Sequence, residues 1–591
     1  MWDKINSFSL TGKKRLALWT LLILLTLLIF LYPAQLTSES HPIESIYVFD
    51  NLSIFSALYI IWFFTLLALA LSYGTERTDN LEKIALLCIF TVVFSGLWVS
   101  LRHSYAGEAA REAFSIAYLN QYGQIPLALK IYPTDFPGVA IIGSTISQMT
   151  GLADFDVLTT LQMLYILLFP AMLYLVFKNI IRDSRWSVLM VLLVINGGIM
   201  IAKQLSIFHP SSFAIFFLFT PFLLLLTMSQ RSNSGTWQNV LFSLILLILL
   251  AVAVTHFVTT ACLLLVLLGV FIVQQFSKKK IISLPMVLLC AVILISWQVL
   301  KSTYIVDHLV NNISRIIDDF RHGVFVSGYA ASLVSAYTRE DIPIWANITR
   351  YFWLASLIVF AAILGIKNLF QAKALTAMGT WVTGGLIGIG ILLIGIALLS
   401  GMEEINRTLV YAPFFTIPII AIFFYKMRNH IRTCSFVAVA VILLVLSLPT
   451  FLAHNNTVGT TAYYSYELSG YDWLKSQYGD RGEVYIAGGQ FPLCYYIERS
   501  HYHSTSLQFV EGKNEAGYWE EYNKLVKLSQ DKDKDIISLF VIVESRVAAR
   551  FKHLLNVDIK TSPEWGKLKS RLAQEDLIYN NGYVEFYKAV E

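Results

Sequence analysis

Apolar residues form long uninterrupted runs over residues 1–454, and most polar residues lie between these runs. A helix needs about 20 mostly apolar residues to cross a bilayer. The runs predict thirteen such helices, which makes residues 1–454 an all-α polytopic membrane domain. The predicted spans lie near 16–32, 53–73, 83–101, 156–178, 186–202, 210–228, 238–254, 257–276, 281–300, 346–366, 375–400, 407–425 and 433–452.

Residues 138–150 form a shorter apolar segment that does not fit this rule. The segment is bounded by Pro137 and Gly151, and it contains polar positions such as Ser144 and Gln148. Because it is too short to cross a bilayer, we predict an interfacial or re-entrant helix there.

Clusters of lysine and arginine predict the topology, since such clusters collect on the cytoplasmic side of membrane proteins. If Lys13–Arg15 is cytoplasmic and 138–150 does not cross, nearly every later cluster falls on the same side. These clusters include Arg77 and Lys83, residues 178–185, 278–280 and 426–432. The first apolar run is longer than the core of a signal peptide, so we expect a retained anchor and a cytoplasmic N-terminus. The C-terminal region is then extracytoplasmic.

The composition excludes several other classes of protein. The chain is 56% hydrophobic and 14% charged, whereas soluble domains carry roughly a quarter charged residues. The net charge of +5 is small and dispersed, which argues against a nucleic-acid-binding surface. Four of the five cysteines lie in apolar runs and only Cys494 lies in the polar tail, so no disulfide framework is expected. Nucleotide-binding and HExxH motifs are absent from the sequence.

Residues 455–591 differ from the rest of the chain, because charges become frequent and apolar runs shorten. The pattern predicts an amphipathic helix at 467–478, strands at 483–487 and 536–543, and a hairpin at 577–587 around Asn580-Asn581-Gly582. We therefore predict a small extracytoplasmic α/β domain.

The most informative stretch for function lies at 103–114, directly after the third apolar run. On a helix, Glu108 and Glu112 share one face, and Arg111 is close enough to pair with Glu108. A solvated loop helix without function would also explain this stretch.

Other titratable residues are predicted on the same side of the membrane. They are Lys203, His209, His256, Glu404 and Arg407, together with the charged residues of the long loop 301–345. Each has an ordinary structural explanation, such as a helix start or an interfacial anchor. Their joint placement beside a loop that carries carboxylates is harder to explain in that way.

These features resemble the type-C (GT-C) membrane glycosyltransferases, which take sugar from a polyprenyl-phosphate carrier. The likeness is architectural over 83–591, and 1–82 would be additional N-terminal helices. In the family, an acidic residue lies in the first large outer loop, here 102–150, and juxtamembrane helices follow it. Gly107, Glu108 and Glu112 are similar to a Gly-Asp-x-x-x-Glu pattern of archaeal members, with Glu in place of Asp. His209-Pro210 and the Glu404–Arg407 stretch are also similar to that subset.

The resemblance implies sugar transfer at the outer face of the cell membrane to a glycan, lipid or protein acceptor. A carboxylate would remove the acceptor's proton, which assigns Glu108 or Glu112 as the base. Fixed cations would stabilise the leaving phosphate. Candidates for substrate contact are Arg111, Lys203, His209, His256, Glu404 and Arg407. The sequence assigns no certain cofactor, and Glu108 and Glu112 could hold a Mg²⁺ or Mn²⁺ ion.

Two alternatives remain open at this point. A transporter or flippase of lipid-linked sugars would favour charges at mid-membrane depth and paired discontinuous helices, and the sequence displays neither. A surface polysaccharide polymerase or ligase would favour a large outer loop with His and Arg, and 301–345 fits that description.

Overall fold

The computed structural model describes most of the membrane domain and parts of the tail. The described residues are 12–36, 52–72, 77–95, 107–125, 135–197, 201, 205, 208–229, 235–278, 281–300, 310, 314, 344–371, 375–399, 408–426, 448, 469–470, 473, 476–477, 483–487, 502–504, 536–543, 566, 569–570, 572–574, 576–580 and 584–588.

The membrane domain is a bundle of apolar helices around a core of aliphatic and aromatic side chains. In chain order the helices are α1 Gly12–Leu36, α2 Leu52–Ser72, α3 Arg77–Phe94, α4 Gly107–Tyr122, α5 Gly138–Thr150, α6 Asp154–Ile181 and α7 Ser184–Gly197. Helix α8 follows in three parts, Pro210–Phe213, a π-helical stretch Ala214–Phe219, and Thr220–Ser229. The remaining helices are α9 Gly235–Ala253, α10 Phe257–Phe276, α11 Leu284–Leu300, α12 Ile344–Phe370, α13 Ala377–Leu399 and α14 Pro413–Lys426.

A helix overlaps each predicted span except 433–452, which lies outside the described residues apart from the helical Leu448. Within the described part of the chain, four helical segments are long and apolar enough to cross a membrane: Asp154–Ile181, Phe257–Phe276, Phe352–Phe370 and Ala377–Gly395. Large apolar side chains such as Leu247, Val292 and Ile363 are exposed on the surface of the bundle. Apolar side chains suit contact with lipid. A helix tolerates that environment because its backbone hydrogen bonds are satisfied internally.

The start predicted for the third span was wrong. Helix α3 begins at Arg77, before the predicted residue 83, and is described to Phe94, while residues 96–101 lie outside the described residues. Lys83, which we predicted in a loop, is fully buried within the helix, and its Nζ donates to Ser184 Oγ at 2.7 Å. Asn80 accepts a hydrogen bond from the Tyr174 hydroxyl at 2.7 Å. These partners on α6 and α7 extend the helix through a polar stretch that the apolar run alone did not include.

Several helix ends with basic residues meet at one end of the bundle, which we call the basic end. Arg15 donates to the carbonyl of Ser72 at 3.3 Å, and Lys83 reaches Ser184. At the same end, Thr380 donates to Ser277, beside Lys278. The contacts therefore gather segments that the charge pattern assigns to the cytoplasm. That this end faces the cytoplasm stays a prediction.

Helices α10 and α13 cross at very close range. A Cβ added to Gly269 would collide with the carbonyl oxygen of Gly384, and one added to Gly388 would collide with the backbone of Leu265. Small residues allow helices in a membrane to approach to backbone contact, where van der Waals packing is strongest.

The described strands of the tail form one five-stranded sheet. The strands are β1 Glu483–Ala487, β2 Tyr502–Ser504, β3 Ile536–Val543, β4 Asp576–Asn580 and β5 Val584–Lys588, in the order β2-β1-β3-β5-β4. Strands β2, β1 and β3 are parallel, whereas β5 pairs antiparallel with β3 and β4. The predicted strands and the predicted hairpin are confirmed.

The predicted helix 467–478 contacts this sheet through the side chain of Trp473. The described residues in that range are helical, and the Trp473 ring lies 4.7 Å from the Tyr579 ring of β4. On β5, the Glu585 carboxylate accepts from Lys569 at 2.6 Å and from the Tyr587 hydroxyl at 2.8 Å. The prediction that 455–591 is a separate domain remains a prediction.

Candidate functional site

Helix α4 carries the acidic pair, with Glu108 as its second residue and Glu112 one turn later. The Glu112 side chain is only 1% exposed, and neighbouring Ala109, Ala113 and Ile116 are also buried. A carboxylate is costly to bury unless other groups compensate it. Glu112 is therefore not on a solvated face, and the interpretation of 103–114 as a solvated loop helix does not fit this residue.

Asn120, two turns further along α4, joins three helices. Its side-chain amide donates to Ser147 Oγ of α5 at 3.1 Å and to Asp154 Oδ1 of α6 at 3.0 Å. Its side-chain oxygen accepts from Ser144 Oγ at 2.6 Å and from Gln148 Nε2 at 3.3 Å. The polar positions of the short apolar segment thus fix α4 against α5 and α6.

Helix α5 has the predicted bounds, and its first turn docks on the corner between α9 and α10. The amide of Gly138 donates to the carbonyl of Val254 at 3.0 Å, and Trp297 Nε1 of α11 donates to the carbonyl of Asp135 at 2.8 Å. A side chain at Gly138 would collide with Thr255, so a glycine is needed for this approach. The other end of α5 leads directly into α6. Helix α5 therefore lies across one end of the bundle.

His256 caps α10 at this corner and begins a buried hydrogen-bonded chain. Its Nδ1 accepts the backbone N–H of Thr259 at 3.3 Å, so the ring proton is on Nε2. Thr259 Oγ1 lies 3.0 Å from the same Nδ1 and therefore donates to it, while the Tyr411 hydroxyl lies 2.5 Å from Thr259 Oγ1 and donates in turn. This chain connects the corner to the segment that begins α14.

His209 caps α8 in the same way. Its Nδ1 accepts the backbone N–H of Ser211 at 3.1 Å, and the Ser211 hydroxyl lies 2.6 Å from that nitrogen. Nearby, Gln162 of α6 donates to the carbonyl of the buried Leu205 at 3.1 Å. The π-helical stretch follows at once and places Phe216 and Phe219 in the core. Such stretches are frequent at functional sites.

The structure thus brings described parts of three predicted outer segments, 102–136, 203–210 and 255–256, to one end of the bundle, which we call the site end. It consists of α4, α5, the corner Val254–His256, the segment around His209, and Thr408–Tyr411. Other predicted residues lie outside the described residues: Lys203, Glu404 and Arg407, the side chains of Glu108 and Arg111, and nearly all of 301–345. In the sequence, Lys203 lies between Ile201 and Leu205, which are buried, and Arg407 directly precedes the buried Thr408.

The described residues contain no cluster of three or more His, Cys, Asp or Glu side chains suited to a metal ion. Mg²⁺ usually keeps several waters and binds through one or two carboxylates. Glu108 and Glu112 would suit that mode of binding, and a metal at this pair stays a prediction.

The sequence did not predict that Asn120 connects three helices, or that the Thr259 and Tyr411 hydroxyls are hydrogen-bonded. Thr259 lies three residues after a histidine at a helix start, a spacing typical of a capping contact. Its partner is 152 residues away, and local spacing contains no information about such a pair.

No protein-family model and no curated protein matches the chain. Two crystal structures of ArnT from Cupriavidus metallidurans are similar to it, each with 13% sequence identity. The structure bound to undecaprenyl phosphate aligns over 87% of this chain and 99% of that chain, with a TM-score of 0.40. The apo structure aligns over 86% and 98%, with a TM-score of 0.39. This remote likeness assigns no activity to the chain.

Proposed function

We propose that this protein is a membrane glycosyltransferase that moves a sugar from a polyprenyl-phosphate carrier to an acceptor at the outer face of the membrane. The observation that carries the proposal is the burial of Glu112 on α4 at the site end. A buried carboxylate at the rim of an apolar bundle is a frequent mark of chemistry.

The reaction assigns a role to each part of the site end. A carboxylate of α4, with Glu108 as first candidate, takes the proton from the acceptor hydroxyl. The acceptor oxygen then bonds to the anomeric carbon as the bond from that carbon to the phosphate oxygen breaks. The polyprenyl phosphate leaves with the bonding electrons. Glu112 serves as a second acid or as a metal ligand.

The leaving phosphate needs fixed cations, and Arg407 is the first candidate. Guanidinium can form two parallel hydrogen bonds with a phosphate. Arg407 directly precedes Thr408, which is buried at the site end. Lys203, Arg111 and the Nε2–H groups of His209 and His256 are further candidates, and Glu404 would hold one of these cations. The lipid tail of the carrier would lie against the apolar surface of the bundle.

Binding of the carrier provides the first test. Undecaprenyl phosphate and undecaprenol would be titrated separately into the purified full-length protein in nanodiscs, with bound lipid measured by native mass spectrometry. We expect saturable binding of the phosphate lipid and much weaker binding of the alcohol. Equal binding of both lipids would contradict a phosphate site.

Bond cleavage provides the second test, and it separates a transferase from a transporter. The protein would be incubated with carrier-linked sugars and membrane acceptors extracted from its own cells, and free polyprenyl phosphate would be measured. We expect release that depends on the acceptor. Translocation of intact carrier-linked sugar without release would support the transporter alternative instead.

A further inference from the structure

We infer that His256, Thr259 and Tyr411 are positioning residues that fix the segment Thr408–Tyr411, which directly follows Arg407 in the sequence, relative to the acidic helix α4. The inference rests on the proposed function. It gives Nδ1 of His256 a structural task at the site, separate from the phosphate contact proposed for its Nε2–H. The three side chains form one directed hydrogen-bonded chain between the α9–α10 corner and the start of α14.

The chain is sheltered from water and has a defined direction. Thr259 is fully buried, Tyr411 is 1% exposed and His256 is 7% exposed. Because Nδ1 of His256 already accepts a backbone N–H, the Thr259 hydroxyl must donate to it and then accept from Tyr411. Hydrogen bonds in such a dry environment hold geometry firmly, since no water competes for the groups.

One end of the chain fixes the segment that precedes α14. The amide of Tyr411 donates to the carbonyl of Thr408 at 3.0 Å, and both residues are buried. Arg407 directly precedes Thr408 in the sequence. The Tyr411 ring also packs edge-on against Phe219 at 5.3 Å, which restricts its movement on the other side.

The other end of the chain leads to the acidic helix. The corner residue Val254 accepts the amide of Gly138, and α5 is joined to α4 through Asn120. An unbroken series of contacts thus connects the helix of Glu108 with the residue next to Arg407. Transfer requires base and phosphate contact at a set separation, so a loosened chain would slow turnover without removing any reacting group.

The test compares hydroxyl deletions that differ only in whether they interrupt the chain. Thr259→Val and Tyr411→Phe remove a hydroxyl of the chain, and Thr259→Ser restores one. Thr260→Val is the matched control, because the Thr260 hydroxyl is equally buried but donates only to backbone carbonyls of Val252 and His256. We expect the first two variants to lower kcat for transfer by about tenfold or more. Thr259→Ser and Thr260→Val should remain within about twofold of wild type.

A double-mutant cycle with Arg407→Ala distinguishes positioning from general loosening. If the chain acts through Arg407, Tyr411→Phe should have little further effect on kcat in the Arg407→Ala background. An undiminished effect in that background, or equal effects of Thr259→Val and Thr260→Val, would overturn the inference while leaving the proposed function intact. Full activity of Arg407→Ala itself would overturn both the phosphate assignment and the inference.

Discussion

Asn120 of α4 donates from its side-chain amide to the carboxylate of Asp154, the first residue of α6, across 3.0 Å. The same side chain bonds to Ser144, Ser147 and Gln148 of α5. One side-chain amide thereby connects α4 with both α5 and α6. The position of Glu108 and Glu112 depends on this joint.

Replacement of Asn120 should therefore affect both stability and activity. Asn120→Ala leaves the buried Ser144 hydroxyl and the partly buried Ser147 and Asp154 without this partner, and we expect a loss of about 1–3 kcal/mol in the free energy of unfolding. Gln121→Ala is the control, since that neighbouring side chain is exposed. Thermal unfolding in detergent and transfer activity would be measured for both. Equal unfolding temperatures for the two variants would show that the hydrogen bonds of Asn120 contribute nothing to stability.

The bounds of α5 could be predicted from sequence because Pro137 and Gly151 mark them directly. Pro137 precedes the first helical residue, and Gly151 ends the helix with a φ of 74°, a conformation that glycine adopts without cost. The tight corner at Val254–Phe257 was likewise visible as two apolar runs without a loop between them. The local sequence is enough to predict a helix end when the residues that set that end are next to it in the sequence.

The buried state of Lys83 could not be predicted in this way. Its partner Ser184 lies 101 residues away, and a lysine before an apolar run ordinarily marks a loop. The chain from His256 to Tyr411 is similar, since it depends on how α10 and α14 pack. Contacts of this kind arise from tertiary packing, and neither periodicity nor spacing reports them.

The crossing of α10 and α13 leads to a stability prediction. Gly388→Ala places a Cβ against the backbone of Leu265, which cannot move away easily, and we expect a cost of about 1–3 kcal/mol. Gly390→Ala, two residues along the same helix, meets nothing within 4 Å and should be neutral or slightly stabilising. Unfolding temperatures of the purified variants provide the measurement. A cost for Gly390→Ala as large as that for Gly388→Ala would contradict the packing argument.

The predicted topology can be tested with two exposed positions at opposite ends of the bundle. In a variant without the five native cysteines, Ala153→Cys at the site end and Arg182→Cys at the basic end would be treated with a membrane-impermeant thiol reagent. We expect intact cells to be labelled at position 153, and position 182 to react only after lysis. The reverse pattern would place the site end in the cytoplasm and remove the outer-face assignment.

The last prediction concerns the base of the proposed reaction. Glu108→Gln keeps the size and much of the hydrogen bonding of the side chain but removes its ability to take a proton. Acid–base groups typically contribute about 10²–10⁴-fold in rate, so we expect transfer to fall by at least about 10²-fold while undecaprenyl phosphate still binds. Arg407→Lys keeps the charge but loses the paired hydrogen bonds to phosphate, so it should weaken carrier binding or turnover only partially.

Asp156→Asn is the matched control for the loss of a carboxylate, because Asp156 is exposed in the first turn of α6 at the same end of the bundle. Its transfer rate should equal that of the wild type. If Glu108→Gln retains full activity and Glu112→Gln loses it, Glu112 is the base. If neither substitution lowers the rate below that of Asp156→Asn, α4 is not the catalytic helix, and the proposed mechanism fails at its first step.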